Sequence, residues 1–225
     1  MTCPMELGEN AHLIVFADAD LDAAAEGAII CKFRNNGQTC ICANKIYVQA
    51  SIYNVFAQKL ADSVKKVKVG DGLDAETVLG PLINQKAILQ VQENIADTTA
   101  KGAKILLGGD VSQSAENFIN PTIVTGATKE MAVSKEKTFG PFAPLFKFKN
   151  VGEVIILAND TIFRLASYFY ANELSRVHKV SEALEYGIVG VNMASYSPKL
   201  HHLAASSNLV LAVKEVVTVS KTPSK

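Results

Sequence analysis

Strands alternating with helices predict an α/β fold, a largely parallel sheet flanked by helices. Three observations carry that class. Short apolar runs rich in β-branched residues recur between longer segments whose apolar positions repeat at helical spacing. Hydrophobic residues make up 48% of the chain, which supports a sizeable core. No apolar run reaches the ~18 residues of a membrane span.

The elements follow in order. Leu13-Ile14-Val15-Phe16 reads as a short strand. Asp20 caps a helix running to about Phe33, with Leu21, Ala24, Ala25 and Ala28 on one face. Lys45-Ile46-Tyr47-Val48 is the next strand. Ser51 is expected to cap a helix with Ile52, Val55, Phe56 and Leu60 at core spacing. Gly70-Asp71-Gly72 breaks the chain, residues 84–101 read as helix, and Ile105-Leu106-Leu107 as strand. Strands follow near Thr122–Val124 and Pro144–Phe148, and two helix–strand pairs end at Ser167–Tyr170 and Ile188–Asn192. Residues 1–198 are read as one domain and 199–225 as a divergent tail. Its apolar stretches Leu209–Val213 and Val216–Val219 either pair as an edge hairpin or lie exposed in a partly disordered segment.

Lysine and arginine together number 22, as do aspartate and glutamate, so the net charge is zero and nothing favours nucleic acid or an anionic membrane. Four cysteines, two of them in Cys40-Ile41-Cys42, do not read as a secreted disulfide framework. No signal-like N-terminus is present, so a soluble intracellular protein of the cytoplasm or mitochondrial matrix is expected. His201-His202 are adjacent, without a cysteine or acid cluster, so no metal site is expected.

The stretch Phe33-Arg34-Asn35-Asn36-Gly37-Gln38-Thr39-Cys40 carries the chemistry. A thiol attacks a carbonyl carbon only as thiolate, so it needs a base or a positive field. Gly37-Gln38-Thr39 is a polar, turn-like lead-in that suits an accessible sulfur. Glu6, in Glu6-Leu7-Gly8, is a candidate base if the fold closes the gap. Arg34 suits bidentate carboxylate binding, or else is a cation at a helix end.

Glu6-Leu7-Gly8, Gly37-Gln38-Thr39-Cys40 and Thr138-Phe139-Gly140-Pro141, in this order and spacing, resemble the catalytic domain of the aldehyde dehydrogenase superfamily. Val69-Gly70-Asp71-Gly72, Gly80-Pro81-Leu82-Ile83-Asn84, Lys104–Gly109 and Leu184-Glu185-Tyr186-Gly187 sharpen the resemblance toward succinate-semialdehyde dehydrogenases. It runs from about Met5 to about Pro198. It implies oxidation of succinate semialdehyde to a carboxylate, as in GABA degradation, through a Cys40 thiohemiacetal and thioester. Glu6 would activate the hydrolytic water, and Arg34 and Ser197 would hold the substrate carboxylate. Gly8, Phe139 and Lys137 fall at cofactor-contacting positions, the cofactor being NAD or NADP. A semialdehyde is thus the expected partner, with neither nucleic acid nor membrane. The family is homo-oligomeric, an assembly that this tail would oppose.

The chain departs from the family pattern at several points. No Gly-x-Gly-x-x-Gly phosphate cradle occurs. Glu9 and Lys137 stand where the family has a glycine and a ribose-binding glutamate, and a lysine cannot accept from two hydroxyls as a carboxylate does. Arg164 replaces a glycine and is expected to strain its turn if that turn needs positive φ. The segment after Pro198 is unrelated to the family's closing strand. The chain alone is therefore expected not to oxidise. The alternative is a non-oxidative truncated paralogue, acting as a binding or oligomer-modifying fragment or as a residual thiol esterase. Cys42 is either a redox partner that reversibly blocks Cys40 or a small packing residue.

Overall fold

The computed structural model describes residues 10–110 and 117–193, and the backbone of residues 212–213. The chain forms β1 (His12–Val15), α1 (Leu21–Phe33), β2 (Lys45–Gln49), α2 (Tyr53–Val64), α3 (Gln85–Ala100), β3 (Lys104–Leu107) and β4 (Thr122–Ala127). It continues with β5 (Phe142–Phe148), α4 (Val151–Asn159), β6 (Ala166–Tyr170), α5 (Leu174–Ala183), β7 (Ile188–Val191) and β8 (Ala212–Val213). The sheet order is β3-β4-β5-β2-β1-β6-β7-β8. The six central strands are parallel, while β3 and β8 pair antiparallel at the two edges.

Strand alternation splits the core into two layers. Leu13, Val15, Ile46 and Val48 face α1 and α2. Ile14, Phe16 and Tyr47 point the other way, into the core shared with α3, α4 and α5. Both faces are covered, which is why these short strands are apolar almost throughout. One polar pair is enclosed at the start of the sheet: His12 Nε2 and Ser167 Oγ lie 2.8 Å apart. Burial first, and Lys45 second, lower the His12 imidazole to about 3, so it stays neutral.

Asp20 caps α1, accepting from the Asp22 and Ala23 N–H groups. Ser51 does not cap α2. The helix starts at Tyr53, and the N-cap position is Ile52, which makes no side-chain cap bond. Tertiary contact sets that start: the Tyr53 hydroxyl donates to the Leu145 carbonyl at 2.8 Å and accepts the Gly126 N–H at 2.8 Å. Val55 is 54% exposed, because the buried stripe runs through Tyr53, Phe56, Ala57 and Leu60 instead. Arg164 is not among the residues at positive φ, so its turn carries no left-handed strain; the side chain pairs with Glu185. Within the tail, Ala212 and Val213 pair with Val189 and Ile188 of β7. The proposed hairpin partner Val216–Val219 lies outside the described residues.

Candidate active site

Every segment that carries a predicted site residue and is described enters the sheet at the amino-terminal edge of the parallel strands. Arg34 to Asn44 lead into β2, and Lys137 to Pro141 lead into β5. Asn10 and Ala11 lead into β1. Glu6, Gly8 and Ser197 lie outside the described residues.

The thiol turn begins where Arg34 leaves helical geometry (φ −51°, ψ 130°). Asn35, Asn36 and Gly37 then take φ of 48°, 56° and 74°, three successive left-handed residues. Asparagine tolerates that region better than most side chains, and glycine adopts it freely. Gly37 is needed for space as well: a Cβ there would collide with the Gly140 carbonyl oxygen. Gly140 in turn has no room for a Cβ against Val91 of α3. The turn, the Thr138–Pro141 block and α3 therefore touch backbone to backbone and backbone to side chain.

Side chains staple the same turn. Asn36 Nδ2 donates to the Gly80 and Pro81 carbonyls at 2.8 and 3.0 Å. Gln38 Oε1 accepts the Ile83 N–H at 3.1 Å, and the Tyr168 hydroxyl donates to the Ile41 carbonyl at 3.1 Å. The Gly80–Asn84 block thus supports the thiol turn from below. Cys40 is exposed at its end, while Cys31 and Cys42 are buried. Cys42 Sγ lies 2.7 Å from Thr39 Oγ1 and donates to the Arg34 carbonyl at 3.5 Å. Burial drives the Cys31 thiol well above its usual range, so that sulfur stays protonated. Arg34 is exposed beside the turn.

Asparagines that the sequence reading did not single out lock the neighbouring segment. Asn44 Nδ2 donates to Asn10 Oδ1 at 3.0 Å and to the Glu136 carbonyl at 2.8 Å, and Asn44 Oδ1 accepts the Thr138 N–H at 2.9 Å. Asn10 Nδ2 donates to the Lys135 carbonyl, and Asn94 Nδ2 to Thr138 Oγ1. The available signal was polar residues standing directly before two apolar strands, where a buried amide needs partners.

Lys137 reaches back over the thiol turn. Its ammonium donates to the Cys40 carbonyl at 2.9 Å and the Thr39 carbonyl at 3.2 Å, and sits 4.6 Å from the Phe139 ring centroid. Phe139 is 42% exposed. These residues do not fit a complete nicotinamide nucleotide site. Lys137 brings no acceptor for ribose hydroxyls, its donors are directed at protein carbonyls, and the chain has no glycine-rich phosphate cradle.

The opposite, carboxyl-terminal edge is where open parallel sheets commonly receive anionic ligands. Between β1 and β6 that position is filled by the protein itself. Asp18 Oδ2 accepts the N–H groups of Asn172 and Glu173 at the start of α5, at 2.8 and 2.6 Å, and Asp18 pairs with Arg176. Burial would raise the Asp18 carboxyl, but the backbone donors together with the Arg176 charge outweigh it and hold the group below its usual range. Among the described residues no cluster of metal-binding side chains occurs, and no helix is long and apolar enough to cross a membrane.

The aldehyde dehydrogenase family model matches residues 1–203. A glutarate-semialdehyde dehydrogenase of Pseudomonas putida (strain KT2440) is 60% identical over 188 residues, 84% of this chain and 39% of that protein. The NADP-dependent succinate-semialdehyde dehydrogenase of Escherichia coli (strain K12) is 56% identical over the same shares. The crystal structure of succinate-semialdehyde dehydrogenase from Burkholderia pseudomallei superposes with a TM-score of 0.84 at 53% identity, covering 85% of this chain and 40% of that one. The chain thus spans about two fifths of the length of the curated relatives it matches. Over the part that it spans, the chain belongs to the aldehyde dehydrogenase family.

Proposed function

We propose that this chain carries the thiol-bearing, substrate-binding portion of a semialdehyde dehydrogenase of the succinate-semialdehyde type. Cys40 Sγ attacks the aldehyde carbon, a carbon–sulfur bond forms, and the carbonyl electron pair moves to oxygen, which takes a proton to give the thiohemiacetal. The Cys40 backbone N–H is assigned as one donor to the developing oxyanion. Arg34, with Ser197, holds the far carboxylate, a group that both succinate and glutarate semialdehyde carry. Glu6 activates the water that hydrolyses the thioester after oxidation.

The observation that carries this reading is the contrast among the described cysteines. Cys40 alone is exposed, at the end of a turn fixed on three sides, while its neighbours are buried. The hydride acceptor is not held by these residues, so residues 1–225 alone capture the aldehyde without oxidising it. A residual thiol esterase is the second reading, favoured by the engagement of Lys137 with protein carbonyls.

The test is protection of Cys40 from iodoacetamide by succinate semialdehyde, followed by peptide mass spectrometry, alongside absorbance at the reduced-nicotinamide band with NAD or NADP. Protection without cofactor reduction is expected. Absence of protection overturns aldehyde capture, and cofactor reduction by the purified chain overturns the non-oxidising claim.

A further inference from the structure

We propose that Lys137 is a positioning and specificity-determining residue of the thiol turn. Its ammonium straps the Thr39 and Cys40 carbonyls to the Phe139 segment and so fixes a cation on the backbone of the residue that bears the sulfur, so that Cys40 selects electrophiles carrying a negative charge. This rests on the reading of Cys40 as nucleophile.

The geometry is specific. The backbone of Lys137 is pinned on both sides by one side chain, Asn44, which donates to the Glu136 carbonyl at 2.8 Å and accepts the Thr138 N–H at 2.9 Å. The carbonyl of Lys137 itself accepts from Gln90 Nε2 at 3.4 Å. From that anchored base the half-buried side chain crosses to the turn and donates to two successive carbonyls, at 3.2 and 2.9 Å. Its other flank rests on the Phe139 ring, a cation–π contact that restricts the ammonium's motion. A lysine merely solvated at the surface would make none of these bonds. The charge is also felt inside the fold, since Lys137 is among the groups acting on the buried Lys32.

Two consequences follow for chemistry at Cys40. The carbonyl bonds hold the turn in one conformation, which affects every electrophile alike. The charge affects only charged ones, because an anion approaching within a few ångströms of the half-buried ammonium gains an attraction worth about three- to tenfold in rate. The two effects separate in a ratio of rates. Alkylation by iodoacetate and by iodoacetamide forms the same sulfur–carbon bond with loss of iodide, so thiol ionisation and access cancel, leaving the reagent charge.

The experiment measures both rates at Cys40 by peptide mass spectrometry at low ionic strength. It uses the full chain and the variants Lys137→Met, Lys137→Glu and Lys137→Arg, with Arg34 intact throughout. The iodoacetate-to-iodoacetamide ratio is expected to fall about three- to tenfold in Lys137→Met and further in Lys137→Glu, and to be kept in Lys137→Arg. Salt should lower the ratio in the parent chain more than in Lys137→Met. If Lys137→Met does not fold, as judged by circular dichroism, Lys137→Gln takes its place in the same ratio and salt comparison. An unchanged ratio in the folded variants, or a parent ratio indifferent to salt, overturns the role of Lys137 while leaving Cys40 the nucleophile. Failure of the parent Cys40 to react ahead of Cys31 and Cys42 overturns both.

Discussion

Asn44 Nδ2 donates to Asn10 Oδ1 at 3.0 Å, joining the entry of β1 to the entry of β2. Asn44 follows Cys40 by four positions, and Asn10 follows Glu6 by the same number. This bond is the nearest described link between the two segments that carry the proposed nucleophile and base. Asn44→Ala would leave the Asn10 amide oxygen and the Thr138 N–H unpaired in a buried site. We expect a loss of about 2–4 kcal/mol in urea unfolding. A loss below ~0.5 kcal/mol would show that the network is not what holds the segments together.

Gly37→Ala combines two penalties, a left-handed φ of 74° and a collision with the Gly140 carbonyl. The expected cost is about 1–3 kcal/mol, with slower alkylation of Cys40 in the folded fraction because the turn must shift. Stopped-flow thiol labelling of the folded variant at the parent rate would contradict the backbone contact as a determinant of sulfur placement.

Arg34→Gln tests the carboxylate assignment. Semialdehyde protection of Cys40 should weaken about ten- to a hundredfold, the range for a charge-assisted hydrogen bond, while protection by an uncharged aldehyde of similar length is retained. Equal loss for both aldehydes would mean that Arg34 supports the turn rather than the substrate.

Lys32 is buried in α1 beneath the thiol turn. Burial lowers its ammonium to about 8; Cys42 opposes that shift and Lys137 adds to it. The unfolded lysine titrates near ~10.4, so between about 8 and that value the unfolded chain binds a proton that the native chain does not. Stability therefore rises with pH across this window, and the full cost is present below it. Lys32→Met should be more stable than the parent at pH 7, by an amount on the order of 3 kcal/mol, with the gap shrinking toward pH 10. A gap that is independent of pH in urea titrations would assign the effect to packing instead.

Local signals read well where local physics decides. Asp20 caps α1 because a carboxylate before a helix satisfies orphan N–H groups whatever the tertiary context. Asn84, standing just before α3, does the same. Ser51 failed because Tyr53, bonded to two strands through its hydroxyl, sets where α2 begins. Val55 failed with it, since the face anchored through Tyr53 buries Phe56, Ala57 and Leu60 and turns Val55 outward. The thiol turn was legible from Gly37-Gln38-Thr39, but its supports were not. Asn36 reaches residues 80 and 81, and Asn44 reaches residues 133–138, separations that no local pattern encodes. Likewise, the sequence shows that Lys137 lacks a carboxylate, yet only the fold brings its ammonium onto the Cys40 carbonyl.

Aldehyde capture, ester cleavage and the role of Lys137 all require Cys40 to be the reactive sulfur. Treatment with p-nitrophenyl acetate, without any nucleotide, tests this directly by peptide mass spectrometry of the acylated chain. One acetyl group on Cys40, with nitrophenolate release abolished in Cys40→Ala, is the predicted result. Acetylation of Cys31 or Cys42 in its place, or undiminished release from Cys40→Ala, would contradict it.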